Sequence, residues 1–230
     1  MNNHMLLKFG RREHLEALKQ GCVYFNVIEN YRIEPNTFRG DLLEGKLLLD
    51  PQKFDMFLES GESVFSFGIP RPNIVQYGYD GDESLHMFCA VAITTELLES
   101  IGDNKYIFKE SFKKEALKFG DYVAVFFEKD LISRIDNLVK SRKQGIEHYA
   151  AQMINYKYKQ DYSDGILEDP LDIYFTKDIE YKNQNEWRLI VSGNFKENTQ
   201  NPIVLNCESF QNMNIYSAKD FLNIFIKLSE

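Results

Sequence analysis

The sequence predicts an α+β fold, a central, mostly antiparallel or mixed sheet of short strands with helices at its periphery. Three observations lead there. Short apolar runs bounded by Gly, Pro, Asn or Asp recur along the 230 residues, the signature of half-buried and buried strands. Helical spacing is confined to a few segments. Strands and helices do not alternate in the rhythm that a doubly wound parallel sheet requires. No Pro-, Gly- or Ser-rich linker interrupts the pattern, so a single domain over 1–230 is expected.

The elements follow in order. Leu6-Leu7-Lys8-Phe9 reads as a strand. Residues 11–20 read as a short helix with Leu15 and Leu18 on one face, stopped by Gly21. Val23 to Phe25 is a strand, and Asn30 to Pro35 opens an irregular loop punctuated by Gly40 and Gly45. Lys46 to Leu49 and Glu62 to Ile69 are extended, with a turn-rich stretch from Tyr77 to Asp82. Leu85 to Ile93 is nearly continuous in apolar residues, as a strand covered on both faces would be. A helix over 108–118, a strand over Tyr122 to Phe127 and an amphipathic helix over Asp130 to Arg142 come next. In the second half, strands are expected at Ala151 to Tyr158, Ile173 to Phe175, Arg188 to Ser192, Ile203 to Leu205 and Met213 to Tyr216. A helix from Ser217 or Ala218 to Leu228 closes the chain.

Composition narrows the function classes. The chain is 43% hydrophobic and 14% aromatic, enough for a core and a cleft. With 27 basic against 35 acidic residues and a net charge of −8, non-specific binding to duplex nucleic acid is not expected, because that needs clustered Lys and Arg. The charge is uneven: residues 78–103 carry six acidic and no basic side chains, 161–180 seven acidic and one basic, 140–160 five basic and one acidic. The acidic stretches Asp80 to Glu83 and Asp161 to Asp172 are therefore a candidate protein-binding surface. Cys22, Cys89 and Cys207 are odd in number and widely spaced, so buried free thiols are expected. No apolar run approaches a membrane span and the N-terminus has no signal-like core, so a cytoplasmic protein without membrane contact is expected. His4, His14, His86 and His148 lack ligand spacing, so no metal is expected and His86 reads as a core residue.

Two polar clusters carry candidate chemistry. The densest polar cluster spans Tyr174 to Val191, a polar stretch running into a strong strand, Trp187 to Val191, with Gln184 and Glu186 two residues apart at its entrance and on the same face. A glutamate there can hydrogen-bond a sugar hydroxyl and stabilise an oxocarbenium ion. The competing structural reading pairs Glu186 with Lys177 or Arg188 on the surface. The second cluster is Tyr24, Phe25 and Asn26, then Tyr31, then Gly40-Asp41-Leu42-Leu43-Glu44-Gly45. Aromatic rings beside Asn and Asp at loop mouths can stack and orient a base; turn chemistry accounts for the same residues.

Taken together, Gly21-Cys-Val-Tyr-Phe-Asn, Tyr31-Arg32-x-Glu34, Gly40-Asp41-x-x-Glu44-Gly45, Phe119-Gly120-Asp121 and Lys177-x-x-x-Tyr181-x-x-Gln184-x-Glu186-Trp187-Arg188 resemble a family of bacterial and phage proteins without a settled activity. Gln184-Asn185-Glu186 is more distantly similar to the Gln/Glu-x-Glu element of ADP-ribosyltransferases. That likeness implies a transferase-like fold with NAD as cofactor and Glu186 as catalytic carboxylate, Gln184 orienting the acceptor. Lys8 or Arg11 would hold the pyrophosphate, and Tyr24, Asn26, Tyr31 and Arg188 would line the nucleotide site. Ser63 and Ser66 are the nearest counterparts of that family's middle serines.

Three functions follow as expectations. The first is an NAD-dependent transferase acting on a host or phage macromolecule. The second is a non-catalytic module capturing a nucleotide or NAD-like small molecule, as in phage defence. The third is an acidic protein-interaction factor. The first two require Lys8, Tyr24, Asn26 and Glu186 to share one pocket.

Overall fold

The computed structural model describes residues 4–34, 41, 43–49, 60, 75–77, 82, 85–158, 170–195 and 201–227. The elements run β1 (Met5–Gly10), α1 (Arg12–Lys19), β2 (Cys22–Val27), α2 (Ile28–Ile33), β3 (Leu47–Leu49), β4 (Val75–Tyr77), β5 (His86–Ala92), β6 (Leu98–Gly102), β7 (Lys105–Phe108), α3 (Glu110–Ala116), β8 (Tyr122–Phe127), α4 (Glu128–Lys140), β9 (Ile146–Met153), β10 (Asn155–Lys157), β11 (Thr176–Asp178), β12 (Glu186–Gly193), β13 (Ile203–Asn206), β14 (Asn214–Ser217), α5 (Ala218–Leu222) and β15 (Phe225–Lys227). The fold is α+β, as the sequence predicts, and the pairings of its central sheet are antiparallel.

That sheet forks at β5. Along one edge β5 pairs with β12 from Val91↔Glu186 to His86↔Val191, and β12 pairs with β9. Along the other edge β5 meets two strands. Its start pairs with β2 (Met87↔Asn26) and its end with β1 (Val91↔Leu7), and these lead separately to β13 and to β8 and β14. At the fork the Lys8 ammonium reaches across, donating to the Cys89 carbonyl at 2.6 Å and lying 4.5 Å above the Phe88 ring. A backbone acceptor left over where two strands part is thereby satisfied.

Strand alternation then assigns every side chain to a face. One face carries Leu6, Phe25, Phe88, Phe126, Trp187 and Leu189 and is covered by Leu15 and Leu18 of α1 and by Leu131, Ile135 and Leu138 of α4. Each such buried side chain contributes about 1.5–3 kcal/mol relative to exposure. The opposite face is divided. Leu7, Phe9, Val91 and Val123 pack under the β6–β7 hairpin, α3 and α5. Met87 and Ile190 pack under Ile28 of α2 and a 3-10 helix, Pro170–Phe175.

Several sequence expectations need correction. Asn30 to Ile33 is helical, because Ile28 inserts into the core and Asn26 Oδ1 accepts from both Val27 N and Asn30 Nδ2 at the helix start. Ile173 to Phe175 is 3-10 helix rather than strand. The predicted strand Ala151 to Tyr158 is broken at Ile154, which is buried between β9 and β10. The last helix ends at Leu222, and Phe225–Lys227 pairs instead with β7. The β6–β7 hairpin has no counterpart among the expected elements, although Asp103 and Asn104, at φ 51 and 54, are turn-forming residues that accept positive φ. Gly21, at φ 96, stops α1 as expected, and a Cβ there would sit 2.1 Å from the Cys207 carbonyl oxygen. The cysteines are free but partly buried rather than buried. His86 is a core residue, with Nε2 2.9 Å from the Asn201 carbonyl oxygen. Glu62 to Ile69, including Ser63 and Ser66, lies outside the described residues. No helix among those described is long and apolar enough to cross a membrane.

Candidate functional site

The entrance to β12 is built by a capped turn. Asp178 accepts a hydrogen bond from Glu180 N at 3.0 Å and starts a 3-10 helix over Ile179–Gln184. Asn185 ends it in the left-handed region (φ 43), a conformation that Asn adopts more readily than most residues. Its side-chain amide donates to the Ala92 carbonyl and, at 2.9 Å, to Thr94 Oγ1. Because Asn185 is not extended, strand alternation does not link Gln184 to Glu186. They meet instead through Lys177, whose ammonium donates to Gln184 Oε1 at 3.0 Å and to Glu186 Oε2 at 3.1 Å.

Glu186 is the hinge of a buried ionic cluster. Its other oxygen accepts from Arg188 Nε at 2.6 Å. The Arg188 guanidinium, 0% exposed, turns its far side to Glu44, with Nη2 at 2.8 Å from one oxygen and Nη1 bonded to the other. Nη1 also donates to the Tyr174 carbonyl at 2.6 Å. Two cations and two carboxylates are thus interleaved without net charge, the arrangement in which buried ions are tolerable. Among the described residues no buried side-chain nitrogen or oxygen lacks a hydrogen bond. Burial pushes the Glu186 carboxyl up, but the Arg188 and Lys177 charges outweigh it and hold the group well below its ordinary value.

The turn that delivers Glu44 is equally specified. Asp41 N donates to the Tyr31 carbonyl, Leu43 N to Asp41 Oδ1 at 2.9 Å, and Glu44 N to the Asp41 carbonyl. Gly45 follows at φ 63, where a Cβ would lie 2.7 Å from the Tyr174 ring. Arg32 pins the turn from behind, donating through Nε to the Glu44 carbonyl at 2.8 Å while its Nη atoms bind Asp82 and Glu29. Tyr31-Arg32, the Asp41, Glu44 and Gly45 positions of the second motif, and Glu186-x-Arg188 therefore form one interlocked unit. The Cys89 thiol completes it, donating to the Tyr31 hydroxyl at 3.7 Å. Burial and then the Glu186 charge push that thiol up to about 12.

The expected convergence on one pocket is not met. Leu7 pairs with Val91, which pairs with Glu186, so Lys8 lies on the opposite face of the sheet from Glu186. Arg11 is an exposed residue at the start of α1. Asn26 shares the Glu186 face but is engaged at the start of α2, and Tyr24, on the diverging branch opposite Val204, is 54% exposed. Tyr31 and Arg188 do approach Glu186, as parts of the cluster and not of an open site. Asp82, expected in an acidic surface, is buried against Arg32; the remainder of Asp80 to Glu83 and residues 161–169 lie outside the described residues.

Beside the cluster lies a cleft of about 390 Å³ lined by Thr94, Thr95, Glu96, Met153, Ile154, Asn155, Tyr156, Ile179, Lys182 and Asn185. Tyr156 connects the two, since its hydroxyl oxygen accepts from Glu186 N at 2.8 Å. Burial, then the Glu186 charge, raise the Tyr156 phenol and keep it a neutral O–H donor. At the cleft the Lys182 ammonium stands 3.7 Å from Glu96, both side chains more than half exposed. Ile179, Lys182 and Asn185 belong to the polar stretch before β12, but residue spacing does not group them with the other lining residues, because they come together only through the β9–β10 break and the Asn185 turn. Among the described residues no group of three or more His, Cys, Asp or Glu could hold a metal ion. Comparisons with protein-family models, curated proteins and solved structures yield no match.

Proposed function

We propose that the protein is a binding module that captures a nucleotide-like small molecule in this cleft and returns it unchanged, as a protein sequestering a nucleotide-derived signal would. One observation carries the reading. Both oxygens of Glu186 are taken by buried cations, whereas the adjoining cleft offers apolar Met153, Ile154 and Ile179 beside neutral hydrogen-bonding groups. Its volume falls in the range of roughly 300–1,000 Å³ usual for ligand pockets. A transferase would instead need Glu186 free to contact a ribose hydroxyl, which means breaking a satisfied ion cluster. Calorimetry against a panel of nucleotides, followed by chromatography of the recovered ligand, tests the proposal. Saturable binding, intact ligand and loss of binding in Thr95→Trp, which fills the cleft from an exposed position, are expected. Release of nicotinamide from NAD would overturn it.

A further inference from the structure

The pair at the cleft, Lys182 and Glu96, is more informative than its neutral walls. An exposed ion pair 3.7 Å long is weak and opens readily. Once open, it presents one cation and one carboxylate to the same bound molecule. An ammonium accepts a phosphate as a point charge. A carboxylate accepts two hydrogen bonds from a vicinal diol, the means by which an acidic side chain holds a ribose 2′-hydroxyl. Tyr156 lines the same cleft, and its hydroxyl, which accepts from Glu186 N, keeps its own proton to donate. Thr95 and Asn155 line the cleft with no hydrogen bond from their side chains to any other described residue. From this juxtaposition we infer that the cleft takes a ribonucleoside 5′-monophosphate. Its phosphate lies on Lys182, its ribose diol on Glu96, and its base on Met153, Ile154 and Ile179, edge-on to Tyr156 and Asn155.

The inference rests on the nucleotide-binding reading, and one experiment separates their failures. Calorimetry is run with the 5′-monophosphates of adenosine, guanosine, cytidine and uridine, with the tightest binder's 2′-deoxy counterpart and with its unphosphorylated nucleoside. The proteins are wild type, Glu96→Gln, Lys182→Met and Thr95→Trp, each checked by thermal melting. Wild type is expected to favour the ribonucleotide at least about tenfold over both analogues, the discrimination that one charge-assisted hydrogen bond supplies. Glu96→Gln then erases the ribose preference alone, and Lys182→Met the phosphate preference alone. Nucleotide binding that Thr95→Trp abolishes, but with ribose and deoxyribose within twofold of each other, overturns this assignment and leaves the binding reading standing. No binding of any nucleotide overturns both.

Discussion

Arg188 holds both carboxylate oxygens of Glu44, a residue 144 positions earlier in the chain. The bond fastens the turn that carries Glu44 to the third residue of β12, and it does so at a buried site. Removing one partner of a buried pair leaves an uncompensated charge, which costs about 3–5 kcal/mol. Arg188→Met is therefore expected to lower the unfolding free energy by about that amount, since it strands Glu44 and leaves Glu186 with Lys177 alone. Glu44→Leu combined with Arg188→Met should cost clearly less than the sum of the single changes. Denaturant unfolding of the four proteins measures this, and strict additivity would show that the pair is not coupled.

Acid should act through Glu186. Its folded-state carboxyl sits below its ordinary value of 4.5, so its contribution is present above that value and is lost as the pH falls toward the folded-state pKa. Glu44 works in the opposite sense, because burial raises it in spite of Arg188. Comparing thermal melts of wild type and Glu186→Gln between pH 6 and pH 2 isolates the falling component. The wild-type curve should drop more steeply below about pH 4.5; parallel curves would mean that Glu186 is not held ionised.

Cys89 should be chemically quiet. Its thiol is raised from 9.0 to about 12, which at pH 8 lowers the thiolate fraction about a thousandfold, and the thiolate is the reacting form. Labelling with a disulfide reagent, followed by peptide mapping, should find Cys89 modified at that reduced rate in the folded protein and freely after denaturation. Rapid modification of the native protein would mean that the cluster opens.

Gly45→Ala tests the turn that carries Glu44. The substitution forces a side chain into the left-handed region and against Tyr174, with an expected cost of about 1–3 kcal/mol. An unchanged melting temperature would mean that the turn has another conformation available.

What could be read from residue order, and what could not, divides along physical lines. The buried strands β1, β5, β8 and β12 announce themselves, because apolar runs in a sheet interior leave an unmistakable pattern. The structural reading of Glu186, paired with Lys177 or Arg188, also proves correct, and both cations engage it, although in the interior rather than at the surface. The face that Lys8 occupies depends on pairing register across β1, β5 and β12, which spacing along one strand does not reveal. The same holds for Gln184, where one left-handed residue, Asn185, cancels the alternation on which the expectation relied. The cleft was invisible for a further reason. Glu96, Asn155 and Lys182 come from three separate segments, and each alone is an ordinary surface residue.

The most direct test of a binding module with a structural Glu186 is the fate of NAD and of the nucleotide panel after incubation with the purified protein. Chromatography should recover the bound ligand intact and find no free nicotinamide, with binding lost in Thr95→Trp. Nicotinamide release by wild type that disappears in a folded Glu186→Gln variant would contradict it, and would make Glu186 a catalytic residue.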